Sequence, residues 1–160
     1  MSAPRFIGVV CGLKSEAAAI RASASGDKVR IAVSGASAER AEKLAHEFCR
    51  DGAKAILSVG VSGGLDPMLK SGDLLLGEVV LTRKGEEFAA AGPLLAALAR
   101  ETDEPLRRAA LYGADQIVAT ALAKARIYEQ FGAAAVDMES HGAARAARAH
   151  GVPFAAIRAI

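Results

Sequence analysis

Short apolar runs alternate with stretches of helical period along the whole chain. Arg5–Cys11 is apolar and β-branched and stops at Gly12, which predicts a buried strand; Lys14–Ala24 follows it with helix formers. Val29–Val33 predicts a second strand, closed by Ser34-Gly35-Ala36-Ser37, where Ser37 is placed to N-cap a helix over Ala38–Arg50. Ala53–Val59 is the third strand. Strands that are apolar at every position, rather than at alternate ones, are covered on both faces. The β-α-β-α-β pattern therefore predicts an α/β sheet with helices on both sides.

Farther on, Gly60–Gly64 reads as a Gly-rich turn, and Asp66-Pro67 and Lys70-Ser71-Gly72-Asp73 carry turn chemistry. Leu74–Leu81 is another buried strand, and Pro93–Arg100 is a helix with proline at its start. The charged section Thr102–Arg108, which contains Pro105, reads as an exposed loop. Ala109–Tyr112 and Gln116–Ala119 are apolar pieces that the pattern does not assign. Ala121–Phe131 then reads as a helix, Ala133–Met138 as a strand, Glu139–His150 as a helix and Val152–Ile160 as a last strand. There is no internal repeat, and the abundance of alanine reads as compositional. A central strand at the chain's end leaves one sheet face without its covering helix. The expectation is a chain truncated at its C-terminus or a partner subunit over the gap.

Composition narrows the picture. At 160 residues and 52% hydrophobic content the chain is expected to form one domain over 1–160 with a sizeable core. Its net charge of +2 is spread without a basic cluster, and with five Phe, two Tyr and no Trp there is little for base stacking, which argues against a nucleic-acid partner. Cys11 and Cys49 form neither a disulfide framework nor a zinc pattern, so a reducing cytoplasm is expected and no metal. The N-terminus lacks the shape of a signal peptide, and no apolar run approaches a membrane span.

Candidate chemistry gathers at two strand ends. Ser58-Val59-Gly60-Val61-Ser62-Gly63-Gly64-Leu65 offers bare backbone amides, and Val136-Asp137-Met138-Glu139-Ser140 offers a carboxylate on an apolar floor. In open α/β sheets ligands bind at the carboxyl edge of the strands. The glycines suit either an anion nest or a plain tight turn, and neither a P-loop nor a G-x-G-x-x-G helix opening is present. Glu139 is either an acid stabilised at a helix start or an acceptor for sugar hydroxyls with Met138 beneath the ring. Glu16 is either a first-turn acid or a general base. His141 reads as a surface histidine, His46 and His150 as helix residues without a metal partner, and Cys11 as a buried thiol. Asp115 is open between a loop acid and a second pocket carboxylate.

Phe6–Glu16, Ser58–Leu65 with Lys70–Asp73, Val136–Ser140 and Val152–Ile160 together resemble the nucleoside phosphorylase and nucleosidase superfamily in order and near-spacing. Gly12-Leu13, Gly64-Leu65-Asp66-Pro67 and Gly113–Val118 are most similar to its hopanoid-associated branch. The resemblance implies a three-layer α/β fold with a mixed, largely parallel sheet. It implies release of adenine from adenosylhopane or a related 5'-substituted adenosine, with water or inorganic phosphate as co-substrate and no cofactor.

Residue by residue, the resemblance implies that Glu16 activates water, that Glu139 binds ribose hydroxyls with Met138 against the sugar, and that Ser62 and Gly63 lie close beneath it. Ile117 stands near where related nucleosidases present an aromatic to the purine. Ser58 and Val61 stand where many phosphorylases carry a phosphate-binding Arg and Ser, which favours hydrolysis. The family's purine-protonating Asp follows the Arg-Ala-Ile strand, so the chain ending at Ile160 is expected to lack turnover as it stands. A homo-oligomer, as a dimer, and a small-molecule nucleoside partner, free or lipid-linked, complete the expectation; the alternative is a nucleoside-binding domain without turnover.

Overall fold

Residues that alternate along each central strand turn to opposite faces of one sheet, and each face finds its own cover. The structure is a computed structural model and describes residues 5–24, 26–103 and 106–160. In chain order its elements are β1 (Ile7–Cys11), α1 (Lys14–Ser23), β2 (Val29–Val33), α2 (Ala38–Arg50), β3 (Ala55–Val61), β4 (Gly63–Gly64), β5 (Leu74–Thr82) and β6 (Glu87–Ala89). They continue as α3 (Gly92–Arg100), β7 (Leu106–Gly113), α4 (Ala121–Phe131), β8 (Ala135–Asp137), α5 (Ser140–His150) and β9 (Phe154–Ala159).

Val10, Ile56, Leu75 and Phe154 face α2 and α5, whereas Val9, Leu57, Leu76 and Ala155 face the side of α1 and α3. A third apolar group, Leu65, Tyr112 and Val136, packs under Ile127, Tyr128 and Phe131 of α4. Each fully buried side chain of this size contributes about 1.5–3 kcal/mol. The layered α/β architecture with helices on both faces is the expected one.

The helix ends follow local chemistry. Ser37 Oγ accepts from the Arg40 amide and Thr120 Oγ1 from the Ala123 amide, while Gly132 and Gly151 end α4 and α5 in the left-handed conformation. The many alanines have a packing role that the compositional reading misses. Buried Ala143, Ala144, Ala146 and Ala147 line α5, and any side chain on Gly142 would overlap the Ala38 carbonyl of α2. Small residues therefore let the two helices lie against each other at backbone distance. Where they run together, His46 Nδ1 and His150 Nε2 come within 2.9 Å.

The strand order is β2-β1-β3-β9-β5-β7-β8-β4, with β6 on β5. The β2-β1-β3-β9 block and the β5-β7-β8 block are each parallel, and β9 meets β5 antiparallel. Gly60–Gly64 is the main departure from the sequence reading. It is not a turn: β3 runs through Val61, and after Ser62 alone β4 pairs antiparallel with β8, Gly63 opposite Val136. Because β3 and β4 are far apart in the sheet order but one residue apart in the chain, the sheet must curl until β8 returns beside the end of β3.

Thr102–Arg108 also departs from its loop reading. Leu106–Arg108 begin β7, opposite Leu74–Leu76, and the charged Arg107 and Arg108 are exposed where β7 has not yet met β8. Residues 104–105, with Pro105, and residues 1–4 of the N-terminal reading lie outside the described residues. No helix is long and apolar enough to cross a membrane among the described residues.

Candidate active site

The curl brings the ends of β1, β3 and β8 to one cavity of about 320 Å³. Glu16 reaches it from the first turn of α1. Its Oε2 accepts from the Gly12 and Leu13 amides at 2.9 and 2.8 Å, and its Oε1 accepts from the Val61 amide at 2.9 Å. One carboxylate thus ties the loop after β1 to the end of β3. It lies over Gly60, where a Cβ would stand 2.7 Å from Oε1, so Gly60 is needed for close approach. The same holds at Gly12, where a Cβ would stand 2.5 Å from Glu139 Oε1 and 3.6 Å from Glu16 Oε2. The two carboxylates face each other across Gly12.

Glu139 arrives from the other side as the N-cap residue of α5, yet its side chain does no capping. Asp137 does that work: its Oδ1 accepts from the Glu139 and Ser140 amides at 2.9 and 2.7 Å. Its Oδ2 accepts from Arg158 Nε at 3.1 Å, and Arg158 Nη2 donates to Ser58 Oγ at 2.6 Å while standing 3.8 Å from Glu139 Oε2. Burial would raise the Asp137 carboxyl, but the Arg158 charge and the hydrogen bonds outweigh it and hold the group below its ordinary value. Glu139, only 8% exposed and without a comparable set of donors, is pushed up to about 7 by burial first, then by the Asp137 charge. Its side chain is thus a buried carboxyl at the cavity wall that helix capping leaves unused.

The remaining predicted residues line the same cavity: Met138, Ser62, Gly63 and Ile117, together with Leu13, Ala36 and Val61. Ser62 Oγ is sheltered and has no hydrogen-bond partner among the described residues. Ile117 is 79% exposed and forms part of a wall with Gln116 and Val118. Ala36 holds φ of 55°, a left-handed conformation rare for a residue with a side chain, at the cavity's rim.

The anion nest is not formed: the Val61 amide is committed to Glu16 and the Ser62 amide to the Ala159 carbonyl. Ser58 is fully buried and holds Arg158 instead of facing a ligand. Cys11 is buried too, and burial, then Glu16, raise its thiol, which leaves it protonated and poorly nucleophilic. His141 corrects its surface reading, being 2% exposed beneath the wall. No cluster of three or more potential metal ligands occurs among the described residues.

Sequence reasoning missed Asp137 and Arg158. Their signal was present: an acid in Val136-Asp137-Met138 and a base in Phe154–Ala159, each inside an apolar strand pattern, require a buried partner. It did not say that they partner each other.

The family model described as "Phosphorylase superfamily" matches residues 14–160. No curated protein sequence matches the chain. Among solved structures, 5'-methylthioadenosine/S-adenosylhomocysteine nucleosidase of Helicobacter pylori, complexed with a pyrrolidin-3-ol that carries an aminopyrrolopyrimidine, is similar with a TM-score of 0.88 at 20% identity. The match covers 99% of this chain and 85% of that one. Futalosine hydrolase of Helicobacter pylori gives 0.87 at 19% identity, covering 98% and 87%. A 5'-methylthioadenosine/S-adenosylhomocysteine nucleosidase from Colwellia psychrerythraea in complex with adenine gives 0.86 at 19%, covering 97% and 81%. These likenesses are of fold.

Proposed function

The chain belongs to the phosphorylase superfamily, and on that premise we propose that it cleaves the N-glycosidic bond of an adenine nucleoside and releases the base. The observation that carries this reading is the pair Glu16 and Glu139, delivered from different strands to face each other across Gly12. Breaking an N-glycosidic bond leaves ribose with oxocarbenium character, which nearby carboxylates stabilise. Glu16, fixed by three amides, keeps lone pairs free to draw a proton from water as the water oxygen bonds to the anomeric carbon and the C–N bond breaks, so that in sum the sugar gains the hydroxyl and the base the proton. Glu139 accepts hydrogen bonds from ribose hydroxyls, Met138 lies against the sugar, and Ser62 Oγ and Gly63 are close beneath it. Ile117, with Gln116 and Val118, contacts the purine.

Water is the proposed co-substrate in preference to phosphate. The amides that would cradle an anion are engaged within the protein, and Val61 brings no hydroxyl. The 5'-substituent is proposed to be apolar, as in adenosylhopane or a related lipid-linked adenosine, because Leu13, Ala36 and Val61 give the cavity an apolar, partly exposed rim. The exposed Ile117, Leu13 and Leu122 favour a homodimer, which would cover them. A cytoplasmic setting accords with two free cysteines.

The test is adenine release from 5'-methylthioadenosine with and without inorganic phosphate. Release by the full-length gene product without phosphate, lost in its Glu139→Gln variant, is expected. Nucleoside binding with no base release would replace the enzyme by a binding domain, and a phosphate-dependent rate would overturn hydrolysis.

A further inference from the structure

His141 and Asp115 are an ionisable pair that the proposed chemistry leaves unused. His141 lies two residues past Glu139 on α5 and is 2% exposed. Its ring rests on Gly113, the last residue of β7, where any side chain would overlap the imidazole. Its Nδ1 is buried without a hydrogen-bond partner among the described residues. Its Nε2 is 3.0 Å from Asp115 Oδ1, whose side chain is 73% exposed. With Nδ1 unpartnered, the tautomer that donates Nε2–H to the carboxylate is the one that makes this contact.

Asp115 begins the segment that carries Gln116, Ile117 and Val118. Those three residues line two spaces at once: the 320 Å³ cavity on one side and a cleft of about 1060 Å³ on the other. The segment is a thin wall whose far end, Val118, packs against the Leu65, Tyr112 and Val136 group. The Ala114 amide donates to the Asp137 carbonyl before it, and Thr120 caps α4 after it. Between them, among the described residues, the Asp115 carboxylate makes the hydrogen bond that joins residues 115–119 to the body of the protein.

We infer that the Asp115–His141 contact is a latch that positions the Gln116–Val118 wall against the base of a bound nucleoside. The latch end is rigid, because α5 is capped by Asp137 and His141 is enclosed. The helix start that presents Glu139 to the sugar therefore also sets the wall, and sugar and base contacts are registered by one element. Both residues are positioning residues, and the assignment rests on the nucleoside reading above.

Limited proteolysis and steady-state kinetics on the full chain test it, with Asp115→Ala as the main variant because Asp115 is exposed and its loss leaves the core intact. In ligand-free protein, cleavage within residues 115–119 by a non-specific protease is expected to be about tenfold faster, the scale of one charge-assisted hydrogen bond. KM for 5'-methylthioadenosine should rise by a similar factor with kcat nearly unchanged. Asp115→Asn, which keeps an acceptor for Nε2–H, should recover most of both effects, and His141→Gln should reproduce part of the loss. Unchanged cleavage at 115–119 in Asp115→Ala, or a fall in kcat without a rise in KM, overturns the latch. Failure of the full-length gene product to bind or cleave nucleoside overturns the nucleoside reading, and the base-positioning role with it, even where cleavage accelerates.

Discussion

The chain makes the same local construction twice, and the two copies end in different electrostatic states. After β1 and after β8 a helix begins, and in each case a glutamate near its start enters the cavity. Glu16 is surrounded by amide donors, three within 2.9 Å. Glu139 has fewer, with the Met138 backbone alone assisting it, since Asp137 takes the first amides of α5 and most of Arg158, and its carboxyl rises to about 7. One carboxylate is fixed by the backbone; the other stands over a buried ion pair that holds its strand end in place and leaves it fewer donors. A catalytic base and a ligand acceptor need this difference: the first needs a set position, the second unspent hydrogen-bonding capacity.

The sharpest break of the comparison is Glu16→Gln. It removes the proposed proton acceptor and sets an amide group against three N–H donors, so base release should fall at least 10²-fold, read as kcat on 5'-methylthioadenosine. A rate within tenfold of the parent would remove Glu16 from the chemistry. Next comes Arg158→Met, which leaves Asp137 Oδ2 and Ser58 Oγ buried without the donor they share. A loss of about 3–5 kcal/mol is expected, seen as a melting temperature lower by on the order of 10 °C. An unchanged melting temperature would mean that the pair under Glu139 is dispensable.

Smaller, and with a sign that depends on pH, is Glu139→Gln. The native carboxyl, raised from 4.5 to about 7, binds its proton more tightly than the unfolded chain does. That contribution is complete below the unfolded value and is lost as pH rises through about 7, beyond which the buried charge costs stability. Glu139→Gln should therefore melt a few degrees above the parent at pH 8 and show no gain near pH 4. Nucleoside affinity of the parent should weaken from pH 8 to pH 6 as the acceptor is protonated, and in the variant it should be weaker and flat. A gain in stability that persists at pH 4 would contradict the raised carboxyl.

Much of this was legible in the sequence. The helix from Ser37 to Arg50 and the buried strands at Val29–Val33 and Leu74–Leu81 follow from caps and apolar runs, which act over a few residues. Glu16, Glu139 and Met138 were legible through family resemblance, and they do line one cavity. The Gly60–Gly64 segment was not, because glycine marks close approach without saying to what. Only the fold shows Glu16 filling the space above Gly60, and Gly63–Gly64 pairing with β8. His141 was misread because adjacent residues of a regular helix face apart, a rule that says nothing of whether the other face is covered. Here the end of β7 covers it.

By itself, then, the sequence determined the α/β layering, most helix ends and the family, since burial period and caps are local. Tertiary structure decided which strand ends meet. The β4–β8 pairing curls the sheet, sets Glu139 opposite Glu16, joins Arg158 to Asp137 and closes His141 under the wall. Those contacts depend on strand order and register between distant segments, and on burial that changes the charge state of a carboxyl, neither of which any short stretch of chain encodes.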